Sequence, residues 1–339
     1  MKKSLFKFFI IAMAGLLCSC AGKSVSKHSV AVFVPGIMAD SPIYDMLAKG
    51  VQDAVDEYNE GKSQEEKSDI FIMEAGTNQA EWGTKILSLA ATQKYDIIIS
   101  SNPSLPDLVA PILEQFPDQK FILLDAECEG NNNIYSIRYN QAEQAFLSGC
   151  IARVMSNTQK IALVAAQEYP VMNNIIFPNY CAGYKYAQSY SPEAPEFEPE
   201  FRIVGNWYDA NKSAVISDAL INDGVDVILP ICGGAAQGVI NSAVNSGTYI
   251  AWFDSNGFDR APGTVISSTS MKQRDLSKIV TLDYFEGKTN WGKADLVGMK
   301  EGFIEFIEDD PLYVQSVPED KRNYMNEVVN AIKNGTISF

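Results

Sequence analysis

The chain has 339 residues, enough for one large or two medium domains, and its 46% hydrophobic and 20% charged residues are the balance of an ordinary water-facing protein. The formal net charge of −15 argues against a nucleic-acid partner and against electrostatic attachment to an anionic membrane. The only histidine is His28, so the folded body holds no Ser-His or Cys-His nucleophile system and no histidine-based metal site.

At the start, Lys2, Lys3 and Lys7 precede an apolar stretch, Phe8 to Leu17, which leads into Leu17-Cys18-Ser19-Cys20. The stretch is too short to span a membrane, and its basic front and small residue before a cysteine describe an export signal. The pattern resembles a bacterial lipobox, which implies cleavage after residue 19 and acylation of Cys20 (diacylglyceryl and palmitate). An ordinary cleavable signal is the alternative. Loss of the three lysines leaves 24 basic against 42 acidic side chains, a net −18, so acyl chains rather than charge would hold the protein to a membrane. Cys128, Cys150, Cys181 and Cys232 remain, with no CxxC spacing. That makes a zinc site unexpected. Cys150 and Cys232 lie in apolar contexts and read as core residues.

Residues 20–29 form a polar tether. Val30 to Val34 reads as a buried strand, and Tyr44, Leu47, Ala48, Val51, Ala54, Val55 and Tyr58 then recur at helical spacing. Between them lies the loop Pro35 to Tyr44, which carries Asp40, Ser41 and Ile43. Asp69 to Glu74 is a strand, Gln79 to Gln93 a helix and Tyr95 to Ser100 a strand that ends in the loop Ser101-Asn102-Pro103-Ser104. A helix through Leu108 to Phe116 and strands at Lys120 to Asp125 and Ile134 to Arg138 follow. This alternation is the signature of a parallel doubly wound sheet.

Gln141 to Asn157 is a long helix, after which the pattern restarts. Strands are expected at Lys160 to Ala166, Arg202 to Asn206, Val225 to Pro230, Tyr249 to Phe253 and Thr264 to Ser270. Helices are expected at Tyr180 to Ser189, Lys212 to Asp223, Ala235 to Ser246 and Lys272 to Phe285. Lys300 to Glu308 and the segment around Val328 to Ile332 also read as helical. Two consecutive α/β units without a visible sequence repeat, plus a strand-helix pair left over, suggest two lobes joined at a hinge. We divide them as residues 30–139 with 255–290, and residues 140–254 with 291–339. That is the plan of the type I periplasmic-binding-protein fold, an α/β architecture whose ligand site lies in the interlobe cleft, at the carboxyl ends of the strands.

Several stretches are similar to the basic membrane protein family of lipoproteins, whose best-known members are purine nucleoside receptors of ABC transporters. They are Gly36-x-x-x-Asp40 with Gly50, Tyr95-Asp96-Ile97-Ile98-Ile99 and Phe116-Pro117-Asp118-x-Lys120-Phe121-x-x-Leu124-Asp125. Gln144-x-Phe146-Leu147-Ser148-Gly149, Gly205-Asn206-Trp207-Tyr208-Asp209 and Gly224-Val225-Asp226-Val227-Ile228 follow, then Gly233-Gly234-x-x-x-Gly238 and Ser268-x-Ser270-Met271-Lys272. The order and spacing carry the resemblance over nearly the whole mature chain.

The resemblance implies a membrane-anchored substrate-binding lipoprotein that hands a small-molecule ligand, a nucleoside, to an ABC permease. It implies no catalysis, cofactor or metal, and a place on the periplasmic face of a bacterial inner membrane or on the outer surface. Onto this sequence it carries Asp40 and Ser41 of the opening loop, Trp207 as a stacking ring, Gly233 at the base of a second-lobe helix, and Asp254 and Lys272 toward sugar hydroxyls. Ile43 stands where the family has an aromatic residue and Tyr44 where it has Asn. Ser101 and Asn102 stand where Gly and an aromatic residue are frequent. Those departures leave a sugar or a modified base open as the ligand, and an adhesin or surface antigen is a further reading. A carboxylate-dependent hydrolase using Asp40 and Asp254 lacks support from a G-x-S-x-G or phosphate-loop motif.

Overall fold

A computed structural model describes residues 27–339, apart from the Asp40 side chain. The signal, Cys20 and most of the tether therefore lie outside the described residues. The first lobe begins with β1 (Ser29–Val34), α1 (Pro42–Asn59), β2 (Asp69–Glu74) and α2 (Trp82–Ala91). It continues with β3 (Ile97–Ser101), α3 (Leu105–Gln115), β4 (Lys120–Leu124) and β5 (Ile134–Tyr139). The second lobe runs through α4 (Gln141–Met155), β6 (Ile161–Ala165), α5 (Phe177–Tyr186), β7 (Glu200–Ile203) and α6 (Ala210–Asn222). Then come β8 (Val227–Ile231), α7 (Ala236–Ser246), β9 (Tyr249–Trp252) and β10 (Val265–Met271). After that the chain crosses the hinge twice more, through α8 (Gln273–Phe285) and β11 (Ala294–Val297), then β12 (Ile304–Phe306), α9 (Pro311–Ser316) and α10 (Glu319–Lys333).

The two sheets have strand orders β2-β1-β3-β4-β5-β11 and β7-β6-β8-β9-β10-β12. All pairs are parallel except β10 with β12. Position by position the lobes share one topology, although the sequence holds no repeat. β1 corresponds to β6, β3 to β8 and β4 to β9. Parallel strands buried on both faces need continuous apolar runs: β1, β3, β6 and β8 are buried almost end to end.

The hinge differs from the division drawn from sequence. Val265–Met271 lies in the second sheet beside β9, so residues 255–271 do not return to the first lobe. The return begins at Lys272, and α8 packs along α1. There a Cβ on Gly50 would sit 2.1 Å from the Arg274 carbonyl oxygen. At that crossing only glycine lets the two backbones touch. Arg274 also holds the Asp53 carboxylate with two bonds of 2.6 and 3.0 Å. Residues 294–297, assigned from sequence to the second lobe, form β11 on the edge of the first sheet. Lys300 to Glu308 is not helical. It turns at Lys300–Gly302 and enters β12, because Met271 and Thr269 offer the open edge of β10 to Ile304 and Phe306. The apolar spacing around Val328 belongs to α10, which buries Met325, Val328, Val329 and Ile332.

One hydrophobic cluster runs from β1 and α1 through α4 into the second sheet. α4 is buried over its whole length, which explains why no single apolar face marks it in the sequence. Cys150 and Cys232 lie fully buried in this cluster. Among the described residues no helix is long and apolar enough to cross a membrane.

Candidate functional site

The loops at the carboxyl ends of the strands face one another across the interlobe cleft. In the first lobe, the turn after β1 is tied down before it can reach a ligand. Gly36 donates to Val34 O (2.8 Å), Gly76 donates to Gly36 O (2.9 Å) and Met38 N–H donates to the Glu74 carboxylate (2.7 Å). Ser41 is extended, and its carbonyl accepts from Tyr44 and Asp45 as Pro42 opens α1. The Ser41 side chain does not cap the helix. Ile43 and Tyr44 are partly buried against the core. A Cβ on Gly36 would lie 2.6 Å from Tyr44 Cε2, so the tyrosine ring rests on that glycine. The Tyr44 hydroxyl accepts from Asn102 Nδ2 (3.0 Å), and Asn102 Oδ1 accepts from Ser104 N and Oγ (2.9 and 2.7 Å). Burial pushes the Tyr44 phenol up to about 12. Ser101 is buried and its hydroxyl has no partner among the described residues.

In the second lobe, the motif after β7 makes a turn that presents an aromatic ring. Asn206 Oδ1 accepts from Tyr208 N (3.1 Å) and Asp209 N (2.8 Å), and Asp209 caps α6 by accepting from Lys212 N (2.9 Å). Trp207, held between them, is partly buried, with its ring 6.4 Å from that of Tyr169 on the loop after β6. Gly233 has φ +57, and a Cβ there would come within 3.3 Å of the Trp207 indole. This glycine is thus the seat of the ring. Tyr208 is 71% exposed beside it. Lys272 starts α8 and is paired with the Glu305 carboxylate on β12. It lines a cavity of about 460 Å³ together with Met46, Ser255, Arg274 and Glu305.

Between these walls lies a carboxyl pair that matched positions in the two lobes supply. Asp125 follows β4 and Asp254 follows β9, and both are left-handed, with φ +50 and +67. Few non-glycine residues hold that conformation, and Asp is among those that tolerate it. One face of α4 reaches both: Gln141 Nε2 lies 3.4 Å from Asp125 Oδ1, and Gln144 Nε2 lies 3.4 Å from Asp254 Oδ1. Removal from water pushes Asp125 up to about 8, with the Asp254 charge adding to the rise and Arg138 opposing it. Desolvation pushes Asp254 up to about 7 against its bond from Gln144. Burial first, and then both carboxylates, raise the hydroxyls of Tyr139 and Tyr169. A cavity of about 130 Å³ opens at Asp125, lined by Arg138, Tyr139 and Gln141 on one side and Val171 and Ile175 on the other.

Ser101, Asn102, Trp207, Gly233, Asp254 and Lys272 lie at or just beyond the carboxyl ends of β3, β7, β8, β9 and β10, Tyr44 lies in the first turn of α1, and Lys272 lines a different cavity from Asp125. Asp254 does not cap a helix. Sequence reasoning missed Asp125, Gln141, Gln144, Tyr139 and Tyr169. Asp125 repeats the signal that exposed Asp254, a carboxyl at the end of an apolar strand. Among the described residues no cluster of three His, Cys, Asp or Glu residues is arranged to hold a metal ion.

Residues 27–338 match the model of the Bmp family, described as ABC transporter substrate-binding protein PnrA-like. The chain belongs to the Bmp family. Basic membrane protein A of Borreliella burgdorferi is 23% identical over 337 residues, covering 97% of this chain and 94% of that one. The ABC transporter nucleoside-binding protein BmpA of Lactococcus lactis is 25% identical over 167 residues, covering 49% of this chain and 46% of its own. A crystal structure of an ABC transporter solute-binding protein from Aeropyrum pernix superposes with a TM-score of 0.77 at 20% identity, covering 92% and 93% of the two chains. Like other Bmp proteins, this chain is an extracytoplasmic substrate-binding protein that serves an ABC transporter by taking a small-molecule ligand to its permease.

Proposed function

We propose that this Bmp protein is anchored through Cys20 and clamps one nucleoside between its lobes for delivery to an ABC importer. The observation that carries the reading is that α4 reaches both Asp125 and Asp254, at matched strand ends, while both carboxylates act on Tyr169, whose ring lies 6.4 Å from that of Trp207. Carboxylates accept hydroxyl protons, as a ribose requires, and an indole face stacks on a base. Closure of the lobes buries the ligand and makes the surface a permease reads. Asp40, Ser41, Ile43 and Lys272 belong to the same proposed lining. The name of the Lactococcus lactis relative supports the ligand class.

One observation favours a second reading, a sugar or a modified base. Tyr44 rests on Gly36 and its hydroxyl is held by Asn102, so the first lobe offers no unengaged ring at the position next to Ile43. Mass spectrometry of the small molecule that copurifies with the protein separates the two. A nucleoside mass supports the first reading, and a hexose or pentose mass overturns it. For the anchor, Cys20→Ala should move the protein from the membrane fraction to the soluble envelope fraction. Unchanged membrane retention would overturn that part.

A further inference from the structure

The cation expected to meet a ligand is already met by the protein. β12 pairs antiparallel with β10, with Glu305 opposite Ser270 and Ile304 opposite Met271. Lys272 continues that pairing by donating its N–H to Phe303 O at 2.9 Å. Side chains alternate along a strand: Ile304 and Phe306 are buried, and Glu305 between them stands on the other face, partly exposed. Lys272, two residues after Ser270, falls on that same face. It is the diagonal neighbour of Glu305, a spacing that long side chains bridge, and its ammonium is paired with the Glu305 carboxylate. The two side chains are 34% and 40% exposed, so the pair adds little to stability.

Its consequence is for the cavity it faces. That cavity, about 460 Å³, has the size of a small-molecule site, whereas the space at Asp125, about 130 Å³, falls below it. Both lobes line the larger one: Met46 comes from α1, and Ser255 follows Asp254 directly. Its second cation, Arg274, is held by the Asp53 carboxylate at 2.6 and 3.0 Å. Asp275 and Asp309 line it as well. Arg138, the cation at the Asp125 cavity, is paired with Glu127 at 3.0 Å. Among the described residues, every cation lining these two cavities is thus matched by a carboxylate. An ammonium has three donors. A carboxylate partner cancels its charge without using all of them, so Lys272 keeps a donor for a hydroxyl or ring oxygen and has no net charge to offer a phosphate.

We propose that Glu305 is a specificity-determining residue: by holding the Lys272 ammonium it leaves a hydrogen-bond donor without net positive charge, so that the cleft takes neutral, hydroxyl-bearing ligands and turns away their phosphorylated forms. This rests on the reading of the interlobe cleft as the ligand site. Glu305 acts through Lys272, and its effect shows in the choice between ligands rather than in stability.

The test uses the full chain in detergent, unfolded and refolded to strip carried-over ligand, at neutral pH and constant ionic strength. Calorimetry compares adenosine, guanosine and uridine with their 5′-monophosphates in wild type and in Glu305→Gln, which keeps the side chain's shape and removes its charge. Wild type should bind a nucleoside more tightly than its monophosphate. Glu305→Gln should shrink that preference by about tenfold or more, the scale of removing a like charge beside an anion. Adding Lys272→Met to Glu305→Gln should restore the preference, because the gain depends on the freed ammonium. A preference in Glu305→Gln within about twofold of wild type overturns the assignment, and so does an equally shrunken preference in the double variant.

If neither nucleosides nor monophosphates bind, the nucleoside reading fails and inorganic phosphate decides the role of Glu305 alone. Melting of the ligand-free protein in phosphate, against chloride of equal ionic strength, should show a phosphate-dependent rise in melting temperature for Glu305→Gln that wild type and the double variant lack. Equal shifts in all three proteins overturn the proposal.

Discussion

The two walls of the cleft are built differently. On the first-lobe wall, Tyr44, Gly36, Asn102 and Ser104 satisfy one another through a ring-on-glycine contact and three hydrogen bonds of 2.7–3.0 Å. On the second-lobe wall, Trp207 is held by its backbone turn, seated on Gly233 and packed in part against the core, with its ring tilted 6.4 Å from that of Tyr169. A wall that has spent its polar groups on itself offers shape. A wall whose scaffold is fixed from behind offers a face for binding. Recognition should thus weigh on the second lobe, with the first supplying a rigid stop and one carboxyl of the pair.

The sharpest way to break this contrast is Trp207→Ala. Loss of an aromatic stacking face costs about 1–3 kcal/mol, so nucleoside affinity should fall by about fivefold or more in calorimetry while the melting temperature changes little. Gly36→Ala attacks the other wall. Its new Cβ would lie 2.6 Å from Tyr44 Cε2, and overpacking of that kind costs about 1–3 kcal/mol of stability. Urea unfolding should show that loss, and affinity should suffer less than in Trp207→Ala. A larger affinity loss for the glycine variant would reverse the assignment of the walls. Tyr44→Phe removes a single hydrogen bond from Asn102 and should destabilise by about 1 kcal/mol in the same assay. Tyr208→Ala should be the quietest, within about 0.5 kcal/mol, because that ring is 71% exposed. A strong effect on binding would make it part of the wall.

The contrast also sorts what could be read before folding. Strands such as Val30 to Val34 and Ile97 to Ser100 are legible because parallel strands covered on both faces are continuous apolar runs. β11 and β12 are four and three residues long. Their pairing is decided by which edges β5 and β10 leave open, and no local pattern states that. The hinge differs for a related reason: residues 255–271 stay in the second lobe because β10 pairs in parallel with β9, the strand just before it in the chain, and no local pattern states which sheet a strand joins. At the site, Trp207 and Asp254 stand out by type and place in the chain. Asp125 ends an equally apolar strand, but that one helix reaches both it and Asp254, through Gln141 and Gln144, is decided only when the two lobes pack on α4. Lys272 was expected as a cation turned to the ligand, and the fold pairs it with Glu305, a residue whose strand could not be read.

The decisive measurement is a calorimetric titration of the stripped, refolded protein with a purine nucleoside, wild type beside Trp207→Ala. We expect saturable binding near one equivalent that the substitution weakens by about fivefold or more. Saturable binding of the same affinity in both proteins would contradict a second-lobe recognition wall.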